Sequence, residues 1–162
     1  MLYLRKSKKG FTLIELMVVV AIIGVLALLG LRAYSTQQDK AKEALVKANV
    51  GSVQVTIQTE LVDNSTLDRA GVLGLDDLTA LHNPFTGFSG TDTGDIANVV
   101  VNLGTAASTT DAETAAATDA TMKGKVGICS DGTATAAASV FYIVGFDKDG
   151  ALIPNYTLTA RR

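Results

Sequence analysis

Residues 11–31 read FTLIELMVVVAIIGVLALLGL, an apolar run that carries one charge, Glu15. As a helix it covers about 30 Å, the thickness of a bilayer's hydrocarbon core. A carboxylate at that depth is costly unless it finds a partner, so it calls for a functional explanation. Arg5, Lys6, Lys8 and Lys9 precede the run with no acid among them. That bias keeps the N-terminus in the cytoplasm and sends the C-terminal side outward. An ordinary secretory signal, cut near Ala33-Tyr34-Ser35, is one reading. Against it stand the length of the run, the intruding Arg32 and the acid inside the core. A plain single-pass anchor for a binding domain is a second reading, but it leaves Glu15 unexplained.

The junction Lys8-Lys9-Gly10-Phe11-Thr12-Leu13-Ile14-Glu15-Leu16, continued by Val20-Ala21-Ile22-Ile23-Gly24-Val25-Leu26-Ala27, resembles the class III signal of bacterial type IV pilins and related pseudopilins. The resemblance is specific over about the first quarter of the chain and architectural beyond it. It implies a leader, residues 1–10, removed by a prepilin peptidase that cuts after Gly10 and methylates the new amine on Phe11. It implies that Glu15 pairs with the Phe11 amine of an adjacent copy. Leu13, Ile14, Leu16, Val20, Ile22, Ile23 and Leu26 then pack in a fibre core. The partners implied are further copies in a homopolymer, the inner membrane for the precursor, and an assembly ATPase with its platform protein. The final location implied is an extracellular pilus serving adhesion, twitching motility or DNA uptake. A major pseudopilin of type II secretion is the alternative. Many pilins carry proline where this chain has Arg32, so Gly24 and Gly30 are left as the weak points of the helix.

The totals agree with a structural role. In 162 residues the net charge is −2, and loss of the four leader cations makes it −6. No basic footprint indicates a nucleic-acid site in the bulk of the chain. The single cysteine, Cys129, excludes an internal disulfide and reads as a small buried hydrophobe. The single histidine, His82, excludes a clustered-histidine metal site and reads as a solvated loop residue. No phosphate loop, nucleophile constellation or metal-ligand spacing is present, so no enzyme, cofactor or metal is expected. Asp147-Lys148-Asp149-Gly150 starts like a calcium loop but lacks the third acid and the distal glutamate, and reads as a turn.

The expected fold class is α+β, a long N-terminal helix over residues 11–63 packed on a small antiparallel sheet in a head spanning residues 64–162. In the second half of the helix Tyr34, Ala41, Leu45, Ala48, Val55 and Val62 recur at helical steps and form the expected buried face. Val53-Gln54-Val55-Thr56-Ile57-Gln58-Thr59 alternates as a strand does, and Gly51 weakens a helix there. The resemblance decides for helix, with an exit at Asp63-Asn64-Ser65. Asp76 is expected to cap a brief helix, and Phe85 and Phe88 to pin the loop around Asn83-Pro84. Strands are expected at residues 96–103, 125–129 and 138–146. After the Asp-Gly turn, strands follow at 151–153 and 156–158. The Ala/Thr/Ser-rich stretches 104–121 and 131–137 lack large apolar residues and read as exposed loops. Asn64-Ser65-Thr66 and Asn155-Tyr156-Thr157 match the glycosylation pattern, which short sequences often do by chance.

Overall fold

A computed structural model describes residues 10–64, 66–89, 99–115, 120–132 and 136–162. Residues 1–9 of the leader, Ser65 of one glycosylation pattern, residues 96–98 of the first expected strand, and 116–119 and 133–135 of the two Ala/Thr-rich stretches lie outside them. The chain forms two compact units, Met1–Gln38 and Asp39–Arg162.

Helix α1 runs from Leu13 to Asp63. It includes the alternating stretch 53–59, because a helix keeps both ends of that pattern useful: Val53 and Ile57 are one turn apart and both fully buried. In the first unit every described residue is exposed. In the second, α1 buries Val46, Val50, Val53, Ile57 and Leu61. The expected face is overturned: Leu45, Val55 and Val62 are exposed, at 56%, 62% and 85%. The two stripes lie about 180° apart at 100° per residue.

The buried stripe covers a four-stranded sheet in the order β1-β2-β3-β4, with β1 Val100–Thr105, β2 Val126–Ser130, β3 Val140–Phe146 and β4 Leu152–Arg161. The α+β architecture is as expected, but the sheet is mixed. β1 runs parallel to β2, while β2–β3 and β3–β4 are antiparallel. A parallel neighbour needs a crossover, and an antiparallel hairpin does not. The Ala/Thr-rich stretch supplies the crossover and is not simply an exposed loop. It holds helix α3, Thr109–Ala115, and a 3-10 turn at Ala120–Met122. Ser108 and Asp111 box the start of α3. The Asp111 amide donates to Ser108 Oγ (3.2 Å), and Ser108 Oγ donates to Asp111 Oδ2 (2.8 Å). Ala112 is fully buried with Ala106, Cys129 and Tyr142 beneath α3. The α1 face holds Val126, Ile128, Phe141, Ile143 and Ala160. Both faces being covered, β2 is buried throughout.

Three smaller expectations change. Asp76 lies inside the 3-10 turn Asp76–Leu78, whose N-cap is Leu75 with no side-chain cap. The residue that does cap is Asp68, whose Oδ1 accepts the Gly71 amide at 2.6 Å ahead of helix α2, Arg69–Leu73. Of the two expected pins, Phe88 is half exposed, while Phe85 is half-buried with its ring against Gly124. The loop is also held by buried Asn83. Its Nδ2 donates to Lys123 O (2.8 Å), and its Oδ1 accepts the Phe85 and Thr86 amides. The two expected return strands are one, β4. The Asp147–Gly150 turn is as expected: Asp147 Oδ1 accepts the Asp149 and Ala151 amides, and Gly150 takes φ 75°.

Candidate assembly site

The apolar run is the largest exposed hydrophobic surface described. Phe11 is 85% exposed, and Leu13, Ile14, Leu16, Val20, Ile22, Ile23 and Leu26 are all exposed within the chain. α1 is the one helix among the described residues long and apolar enough to cross a membrane. An uncovered strip of this kind is stable in lipid or against another apolar surface. Small Ala21 leaves shallow apolar notches on either side, one lined with Leu16, Met17 and Val20 and the other with Ile22, Val25 and Leu26. Gly24 and Gly30 are helical, and nothing stands where a Cβ would project.

At the mouth of the run, Thr12 and Glu15 form a capping box. The Thr12 amide (2.9 Å) and Thr12 Oγ1 (2.8 Å) both donate to Glu15 Oε2, and the Glu15 amide donates to Thr12 Oγ1 (3.3 Å). The carboxylate therefore has a partner inside its own chain, through a Thr-x-x-Glu spacing that is itself a sequence signal for a helix start. Both bonds fall on Oε2. Among the described residues Oε1 accepts nothing, and a carboxylate has room for about four donors. Glu15 Oε1 thus keeps acceptor capacity at the exposed start of the helix.

The remaining sequence candidates lie in the head and do not converge. Cys129 is fully buried, as expected, and burial pushes its thiol up to about 11. His82 is exposed, with Nδ1 3.0 Å from Ala80 O. No group of three metal-ligating side chains is present among the described residues.

Comparison with known proteins bears on the same segment. Residues 5–31 match the prokaryotic N-terminal methylation motif. The chain is 38% identical over 65 residues to a type IV major fimbrial protein FimA of Dichelobacter nodosus, covering 40% of this chain and 41% of that one. It is 38% identical over 60 residues to the type IV major alpha-pilin of Moraxella bovis, covering 37% and 38%. It is 37% identical over 60 residues to type II secretion system core protein G of Pseudomonas aeruginosa, covering 37% and 42%. The matches thus span about two fifths of these curated relatives. No solved structure matches. The class defined is a protein with a methylation-motif N-terminus and an apolar helix that needs covering. Within that class, its N-terminal segment is similar to those of type IV pilins and of a type II secretion core protein.

Proposed function

We propose that this chain is the major structural subunit of a type IV pilus, polymerising through residues 11–31. The observation that carries the reading is the conjunction of the methylation motif with a helix exposed along its whole apolar length. In this account the precursor rests in the inner membrane. A prepilin peptidase cuts after Gly10, and the Phe11 amine, methylated but still basic, is freed. Glu15 then accepts that amine from a neighbouring copy while keeping Thr12. The pair sets register more than bulk stability, because each charge has lost its water. The apolar driving force comes from the run itself, at about 25 cal/mol per Å2 covered. An assembly ATPase and platform protein supply the work of extraction, and the fibre serves adhesion, motility or DNA uptake. The role is structural, with no catalytic step.

The intact mass of assembled material tests this reading. It should begin at a methylated Phe11. Glu15→Val should be processed and membrane-held yet assemble poorly, as loss of one member of a buried pair costs roughly 3–5 kcal/mol. Normal fibres from Glu15→Val, or a mature N-terminus at Thr36, would overturn it. The similarity to a type II secretion core protein favours a second reading, a pseudopilin. Filaments at the cell surface of wild-type cells, as against loss of protein secretion on deletion, separate the two.

A further inference from the structure

Within the unit Asp39–Arg162, two clusters of opposite charge stand apart and uncompensated. The first is basic. Lys42 Nζ and Lys123 Nζ lie 5.6 and 5.7 Å from the centre of one ring, Phe85. The ring is held in place, because the Phe85 amide donates to Asn83 Oδ1 (3.0 Å) and Gly124 leaves the room beside the ring that a Cβ would fill. Two ammonium groups thus share one aromatic side chain despite like charge, each attracted by the ring. The second cluster is acidic. Glu60 of α1, with Asp76 and Asp77 of the 3-10 turn, lines a notch of about 300 Å3 together with Gly74 and Leu75. Asp76 and Asp77 are exposed and Glu60 is half-buried. The three carboxylates do not form a group that could hold a metal ion. None of these charges has an ion pair among the described residues, whereas Lys47 pairs with Glu43 (2.9 Å) and Lys148 with Asp149 (2.7 Å). The two clusters cannot meet within one chain. Glu60 stands eighteen residues past Lys42 on α1. Eighteen residues make about five turns and rise about 27 Å, so the two lie on the same side of the helix, far apart along it.

We propose that the lysine pair of one copy docks in the acidic notch of another, a head-to-tail contact between heads. The inference deepens the fibre reading above and rests on it: copies drawn from one membrane in one orientation run parallel, and parallel copies can bring a basic end to an acidic end. Like charges held together in each cluster repel, and the opposite cluster of another copy relieves both at once. Lysine suits such a notch, since it carries three rotatable donors on a flexible stem. The contact is heterologous, because the two partners offer different patches. Each docked copy keeps one patch unused, so contacts of this kind can propagate along a filament. Exposed ion pairs are individually weak and are screened by salt. The contact therefore sets the register of neighbouring heads, while the apolar run brings the heads together at high local concentration.

Zero-length cross-linking of fibres formed by the full chain tests this. A carbodiimide activates a carboxyl group, and an amine in contact with it forms the amide bond while the activating group leaves as a urea. Peptide mass spectrometry should find Lys42 or Lys123 joined to Glu60, Asp76 or Asp77. With about 27 Å of helix between Lys42 and Glu60 in one chain, a link between those two joins separate copies. The linked products should form a ladder beyond the dimer, and high salt should suppress it. Charge reversal gives an independent readout. Lys42→Glu with Lys123→Glu should lower fibre yield about tenfold, as should Asp76→Lys with Asp77→Lys, and all four changes together should return it to within about twofold of wild type. Fibres in which neither lysine is linked to the notch, or reversals that leave the yield unaltered, would overturn the contact and leave the fibre reading standing. Links that stop at the dimer would mean a closed pair and would overturn the head-to-tail arrangement. Links from the lysine pair only to other proteins would assign it to a different partner and overturn the proposal. A wild-type chain that forms no fibre would overturn both readings.

Discussion

A carboxylate in an apolar run is tolerable when something short and local satisfies it, and Thr12 does so through the backbone and the hydroxyl together. Thr12→Val removes the hydroxyl donor and acceptor and leaves the amide bond. The cap should weaken by about 1 kcal/mol, so amide exchange over residues 13–16 in detergent should speed roughly fivefold with exchange beyond Val20 unchanged. The same short-range logic holds the loop around Asn83. Gly124 sits at φ 69°, and a Cβ there would stand 2.3 Å from Asn83 Oδ1 and 2.7 Å from Phe85. Gly124→Ala should therefore destabilise the head by about 2–3 kcal/mol, read as a lower urea midpoint with an unchanged slope. The sequence marked this loop by its proline and glycines and pointed to its phenylalanines. The hub is an asparagine, because four residues of turn leave amides that only a side-chain acceptor can reach.

At the scale of elements, α1 carries two apolar stripes, and periodicity alone does not say which meets the sheet. The stripe of Leu45, Val55 and Val62 has the longer repeat and reads more readily. The stripe of Val46, Val50, Val53, Ile57 and Leu61 has the density of β-branched residues that a sheet needs for close packing. It also meets a sheet glycine: a Cβ on Gly145 would lie 3.1 Å from Val46 and from Val50, so helix and β3 approach more closely than side chains elsewhere allow. Ile57→Ala should cost about 2–5 kcal/mol and Val55→Ala under about 0.5 kcal/mol, in thermal or denaturant melts of the same preparation. Near-equal costs would reverse the assignment of faces. The long helix, three of the strands and the Asp-Gly turn were legible, since each is a strong local pattern. The crossover helix α3 was not, because Ala, Thr and Ser carry little periodic hydrophobicity. Its burial rests on Ala112 alone. With α3 unread, the parallel pairing of β1 was unreadable too.

The whole molecule divides where its chemistry divides. Among the described residues, Met1–Gln38 contributes none to the core, and Asp39–Arg162 contains all of it. Yet the boundary does not fall at the end of the apolar run or at the end of α1. Residues 46–61 of the helix close one face of the sheet, so the head owns the second half of α1 as a structural part. This gives an asymmetric prediction about truncation. A chain of residues 39–162 keeps every core contact and discards the uncovered strip, and its net charge of −6 opposes association. It should be soluble, monomeric by ultracentrifugation and melt in one cooperative transition. A chain of residues 64–162 loses Val46, Val50, Val53, Ile57 and Leu61 at once, and each deleted side chain leaves Ile128, Phe141 and Ile143 facing water. It should lack a cooperative melt and bind a hydrophobic dye at ordinary temperature. A stably folded 64–162 chain would mean that the helix is only a tether. A 39–162 chain that still aggregates would mean that the stripe through Leu45, Val55 and Val62 needs covering as much as residues 11–31 do.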